Sequence, residues 1–86
     1  MNSRNDSYIT ALRFIVMLNI LPKFPRKIST VELQQKLDEL SFSVTLRTIQ
    51  RDLGKLSQIF PIISDESRPR GWSLDNHTSL NIAVKT

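Results

Sequence analysis

The stretch Ser43-Val-Thr-Leu-Arg-Thr-Ile-Gln-Arg-Asp-Leu-Gly-Lys-Leu-Ser57 decides how the rest of the chain is read. Thr45 is placed to cap a helix, because its hydroxyl can accept from the free backbone N–H groups of a first turn. Leu46, Ile49, Leu53 and Leu56 then recur at steps of three and four, which makes one apolar helix face. Arg47, Thr48, Gln50, Arg51 and Lys55 fill the other. The spacing predicts an amphipathic helix over 45–57 with a basic, hydrogen-bonding front. Gly54 weakens it, since glycine costs about 1 kcal/mol against alanine in a helix interior. A close packing of Gly54 against the first helix would account for its presence.

Upstream, Ser29-Thr-Val-Glu32 has the S-x-x-E form of a capping box, in which Ser29 and Glu32 satisfy each other's backbone N–H groups. The helix it opens is expected to run to about Leu40, with Val31, Leu33, Leu37 and Leu40 facing inward. Ser41 to Val44 is then a link of about four residues, the spacing of a helix-turn-helix. Phe42 and Val44 are read as apolar pins that hold the angle between the two helices.

Ser3 or Asp6 can cap an earlier helix that runs to about Leu21 and is stopped by Pro22. Ile9, Leu12, Ile15 (or Val16) and Leu18 (or Asn19) trace one stripe, and Ala11, Phe14, Leu18 and Leu21 a second. A helix apolar most of the way round is buried on more than one side. We read it as the central core helix; the alternative is that one stripe docks on a partner. Phe24, in the basic loop Pro22–Lys27, is expected to plug an edge of the core.

Downstream of Phe60 the period changes. Pro61–Asp65 and Gly71–Asp75 read as two short strands joined by the polar loop Glu66–Arg70. The expected fold class is therefore mostly α with a small β-hairpin: a winged helix-turn-helix of three helices plus a two-stranded wing. Residues 1–75 form that domain, and 76–86 a tail or truncated linker, with Leu80, Ile82 and Val84 alternating as in a weak strand.

Composition narrows the function. Eighty-six residues hold one domain, and such a chain buries roughly 60% of its unfolded surface. With no cysteine there is neither a disulfide framework nor a thiolate metal site. The longest apolar run, Phe14–Leu18, is too short for a bilayer, and the N-terminus has no signal-peptide pattern. A cytoplasmic, nucleoid-associated protein without membrane contact is expected. His77 is the lone histidine and lies in the polar tail; Ser57, Ser64 and Ser73 have no base in reach. There is no glycine-rich phosphate loop. The chain reads as a non-enzyme, with no metal or cofactor.

Twelve basic residues against eight acidic give a net charge of +4. They cluster as Lys23, Arg26 and Lys27, as Arg47, Arg51 and Lys55, and as Arg68 and Arg70. Arginine can read guanine through two hydrogen bonds in the major groove, and glutamine can read adenine. Double-stranded DNA is thus the expected partner. Arg47, Thr48, Gln50 and Arg51 are the expected base contacts, because the start of a recognition helix reaches base edges. Ser29, Thr30, Thr45, Lys27, Lys55, Arg68 and Arg70 suit phosphates, with the wing at 66–70 on the backbone or minor groove. Asp52 would repel DNA, so it is expected to pair with Lys55 or with Arg13.

The run Leu46-Arg-Thr-Ile-Gln-Arg-Asp-Leu53 resembles the R-T-[IL]-x-R-D-L signature of DeoR-like winged helices. Taken with Arg13-Phe14 to Leu21-Pro22, Arg26–Leu33, Phe60-Pro-Ile62 and Arg68-Pro-Arg-Gly-Trp72, it resembles the N-terminal domain of WYL-domain transcriptional regulators. The resemblance covers most of the chain. It implies sequence-specific DNA binding by a prokaryotic or phage regulator acting as a repressor, with Trp72 anchoring the wing. It also suggests a homodimer, through helix 1 or a further domain. Ser41 stands where the family commonly has glycine. The ligand-sensing WYL domain has no counterpart in these residues, so effector sensing is not carried over. The alternative reading is a winged-helix protein-interaction module that does not bind DNA.

Overall fold

The computed structural model describes residues 3–67 and 70–75. Three helices, α1 (Ser3–Ile20), α2 (Thr30–Glu39) and α3 (Leu46–Leu56), are followed by an antiparallel hairpin of β1 (Ile62–Asp65) and β2 (Gly71–Leu74). This is the expected winged-helix arrangement. Arg68 and the tail 76–86 lie outside the described residues.

The two caps form as the sequence requires. Ser29 Oγ accepts from Glu32 N–H at 3.1 Å, while Glu32 Oε1 accepts from Ser29 N–H at 3.0 Å, which completes the capping box. Thr45 Oγ1 accepts from Thr48 N–H at 3.1 Å. Helix α1 already includes Asp6, so Asp6 is not its cap.

Between α2 and α3 the chain turns through a Schellman motif. Phe42 N–H reaches back to Leu37 O at 2.8 Å and Ser41 N–H to Asp38 O at 3.0 Å. This geometry needs a left-handed residue, and Ser41 supplies it with φ 73°. Phe42 and Val44 pack partly buried against the core, as pins should. Gln34 Nε2 donates to Val44 O at 2.9 Å and ties the link back to α2.

The core gathers Met17 of α1 and Leu21 just after it, Ile28 from the segment before α2, Leu33 and Leu37 of α2, Ile49 and Leu53 of α3, and Leu74 of β2. Ile28 exchanges backbone hydrogen bonds with Trp72 at 2.9 and 2.8 Å, so a single antiparallel bridge ties the segment before α2 to the free edge of β2. Trp72 packs against the core as the wing's anchor. Asp52, the one acid of α3, is buried. Arg13 Nε donates to its Oδ2 at 2.8 Å, which selects Arg13 over Lys55 as its partner.

Several expectations are corrected. Val31 and Leu40 are exposed. Val31 sits about 200° round the axis from Leu33, and Leu40 is the C-cap rather than a member of the helix. Leu46 is exposed as well: it shares the direction of Leu53 but lies about two turns earlier, past the end of the core. Phe24 is exposed and holds its place through the backbone, where its N–H donates to Leu74 O at 2.7 Å. Gly54 packs against nothing, with no atom within 4 Å of where a Cβ would stand. It lies one turn beyond Gln50, on the open side of α3. Helix α1 is a core helix only at its C-terminal end. Tyr8, Ile9, Leu12 and Ile15 are between 38% and 65% exposed, because the rest of the domain covers only the side bearing Met17 and Leu21.

A left-handed conformation costs a non-glycine residue about 1–2 kcal/mol, of which glycine's extra unfolded-state entropy returns a part. Ser41→Gly is therefore expected to stabilise the domain by about 0.5–1 kcal/mol in chemical denaturation, whereas Ser41→Ala is expected to give no such gain.

Candidate nucleic-acid interface

The apolar side of α3 faces the core through Ile49, Leu53 and Leu56, and this fixes what the helix presents outward. Arg47, Gln50, Arg51, Gly54 and Lys55 are all exposed. Three cations and an amide thus share an arc with no acid on it, because Asp52 is turned inward to Arg13. Thr48 is half-buried, and its hydroxyl oxygen accepts from Thr45 Oγ1 at 3.1 Å. Thr45 therefore uses its oxygen on the cap and its proton on Thr48, which makes it a structural residue first.

Where α3 begins, it faces the start of α2 and the hairpin across an open cleft of about 470 Å3. The N-cap Ser29 with Thr30 and Val31 of α2, Leu46 and Gln50 of α3, and Ser64–Glu66 and Arg70–Trp72 of the wing line it. The cleft brings together four of the expected contact residues: Ser29, Thr30, Gln50 and Arg70. The N-terminal end of α2 adds the positive pole of its dipole to this wall. Ser29 uses its oxygen to cap Glu32, but a hydroxyl acting as acceptor still carries a proton to donate.

The wing cations have internal partners. Arg70 Nη2 lies 2.8 Å from Glu66 Oε1, with both side chains exposed, and Ser64 Oγ donates to the other carboxylate oxygen at 3.2 Å. Lys27 Nζ donates to Asp65 Oδ2 at 3.0 Å and to Ser67 O and Oγ, each at 3.3 Å. The stem of Lys27 lies directly under Gly71, where an added Cβ would stand 2.9 Å from its Cβ. Lys27 thus fastens the loop end of the hairpin to the segment before α2. No local spacing signals this contact, since Lys27 and Asp65 are 38 residues apart.

Asp65 also accepts from the hydroxyl and the backbone N–H of Ser67. The Ser67 hydroxyl, followed by Lys27 and the Ser67 amide, holds the Asp65 carboxyl down to about 2 from its ordinary 3.8. These bonds favour the charged form.

No family model matches this chain, and no curated protein or solved structure is significantly similar to it. No helix among the described residues is long and apolar enough to cross a membrane.

A carboxyl whose folded pKa is depressed adds stability above its unfolded pKa and loses it as pH falls through the folded value. Asp65 is therefore expected to destabilise the wing as pH drops from about 4 to about 2. Measured by acid titration of the Trp72 fluorescence, Asp65→Asn should remove that component of the acid transition and leave the profile above pH 5 unchanged in shape.

Proposed function

We propose that this chain binds double-stranded DNA, with the outward arc of α3 in the major groove and the wing against the adjacent backbone. The observation that carries the reading is the division of charge on α3. Its three cations and Gln50 are exposed, while its single acid is buried against Arg13. In this reading Arg47, Thr48, Gln50 and Arg51 face base edges, Arg47 and Arg51 matching guanine and Gln50 adenine. Lys55 lies further along the helix and faces phosphate. Ser29 and Thr30 meet a phosphate at the positive end of α2. Arg70, and Arg68 outside the described residues, serve the backbone or minor groove. Arg70 changes partner on binding, from the Glu66 carboxylate to a phosphate. That exchange is easy because exposed ion pairs contribute at most about 1 kcal/mol. Lys27 keeps its place under the wing and adds to the field there.

The resemblance of Leu46–Leu53 and Arg68–Trp72 to WYL-associated winged helices supports a role in transcription regulation. Repression by occupying a promoter needs no chemistry from these residues. The proposed setting is the cytoplasm, at the nucleoid.

Duplex binding should weaken as salt rises, with a log–log slope of about −0.9 for each phosphate neutralised. Arg47→Ala and Arg51→Ala are each expected to cost about 1–3 kcal/mol on the preferred sequence and to flatten sequence preference. Arg70→Ala should weaken all duplexes alike and reduce the slope by about 1. Failure to bind duplex at low salt, or indifference to Arg47 and Arg51, would overturn the reading.

The exposed face of α1 favours a second activity, self-association. Tyr8, Ile9, Leu12 and Ile15 are neutral, so two copies of a +4 chain can meet there without opposing like charges. A two-fold pair would offer two α3 helices to a palindromic site. Sedimentation equilibrium should show a concentration-dependent dimer that Leu12→Lys shifts to monomer. A strict monomer in the wild-type chain would exclude this face as a self-interface. If the chain instead fails to bind DNA but still associates through α1, it is a protein-interaction module.

A further inference from the structure

We propose that Leu46, with Val31 beside it in the same cleft, contacts the methyl group of a thymine next to the base read by Gln50. The inference rests on the reading of this chain as a duplex-DNA binder and adds a residue that the polar face alone does not supply.

Leu46 is the first residue of α3 and is 37% exposed; Val31, in the first turn of α2, is 50% exposed. One exposed aliphatic side chain needs no explanation. Here two, from different helices, line one cleft, and Gln50 and Arg70 line it with them. Neither side chain belongs to the core cluster. The cleft therefore combines an aliphatic patch with an amide and a cation, beside the carboxylates of Asp65 and Glu66, which are paired with Lys27 and with Arg70.

Duplex DNA offers few apolar groups to such a patch. In the major groove the C5 methyl of thymine is the one that marks a base, and Ala, Thr or Phe side chains commonly meet it. Leu46 precedes Gln50 by four residues, so the two side chains stand about 5–6 Å apart on one side of the helix. Stacked base pairs are about 3.4 Å apart along the axis. A glutamine on adenine thus brings Leu46 to a neighbouring step. Residues at the N-terminal end of a recognition helix are those that reach base edges. The chemistry points to a recognised step containing an adenine and an adjacent thymine. Deoxyribose carbons are the other apolar surface of DNA, but they carry no sequence.

The experiment removes the methyl group. Preferred duplexes are selected from a random pool with the wild-type chain, and each thymine of the recovered site is replaced in turn by deoxyuridine. One replacement should weaken wild-type binding about fourfold, the effect of withdrawing one buried methyl from contact. Leu46→Ala should bind the unmodified site about fourfold or more weakly and show no further loss at that deoxyuridine. Leu46→Met, which keeps an apolar reach, should retain the methyl response, and so should Arg70→Ala. Leu46 stands outside the core cluster, so its variants should keep the fold, with the melting temperature of each measured beside its affinity.

The proposal is overturned if no deoxyuridine alters affinity. It is overturned equally if the methyl effect is the same in Leu46→Ala, or if Leu46→Ala weakens all duplexes alike, as a sugar contact would. Those results leave DNA binding standing. If no duplex binds at all, the DNA reading itself falls and this inference with it.

Discussion

The ion pair between Arg13 and Asp52 governs what this small domain can present. An acid in the middle of a basic helix has two places to go. Exposed, it would cancel part of the charge on α3. Buried alone, it would carry a desolvation penalty of several kcal/mol. The 2.8 Å bond from Arg13 Nε resolves this by burying the acid with a partner. It joins α1 to α3 across 39 residues of chain. It also fixes the rotation of α3 together with Ile49, Leu53 and Leu56. Once Asp52 points inward, Arg47, Gln50, Arg51 and Lys55 point outward by helical geometry alone.

The hairpin is positioned by a second set of constraints, which act along β2 and at the loop end of the strands. The backbone bonds between Ile28 and Trp72 make the chain before α2 a neighbour of β2. Lys27 then closes on Asp65 and Ser67. Because Ile28 immediately precedes the capping box, the same contacts place the positive end of α2 beside the wing. The cleft at α3 is thus a consequence of how the strand edge is satisfied. Its rim carries a matched pair, Arg70 and Glu66, so the Arg70 charge is compensated in the free protein.

Much of this was legible in the residues, and the parts that were not share a cause. The two caps, the Phe42 and Val44 pins, the hairpin and the inward turn of Asp52 all depend on local chemistry or on a charge conflict within one helix. Periodicity, by contrast, gives direction round an axis and not how far along it the core extends. Leu46 and Leu40 have core-like phase but stand at helix ends, so they emerge exposed. Val31 lies beside core positions in sequence but away from them in space. Helix α1 is apolar most of the way round, so its pattern carries little phase, and the exposure of Tyr8, Ile9, Leu12 and Ile15 is set by how little of the helix the domain covers. Gly54 invites a packing explanation, yet it belongs to the outward arc. The role of Lys27 depends on long-range pairing with the wing, which no spacing reveals, whereas Glu66 pairs with Arg70 only four residues away.

The central claim is that the cleft among α2, α3 and the wing, with the outward arc of α3, is the surface that meets duplex DNA. Backbone amide chemical shifts recorded during titration with a short duplex test it most directly. The account predicts progressive shifts at Ser29–Val31, Leu46–Arg51 and Gly71–Trp72, with Tyr8–Ile15 unaffected at the dilution where the chain is monomeric. Shifts confined to α1, or none at any position with saturating duplex at low salt, would contradict it.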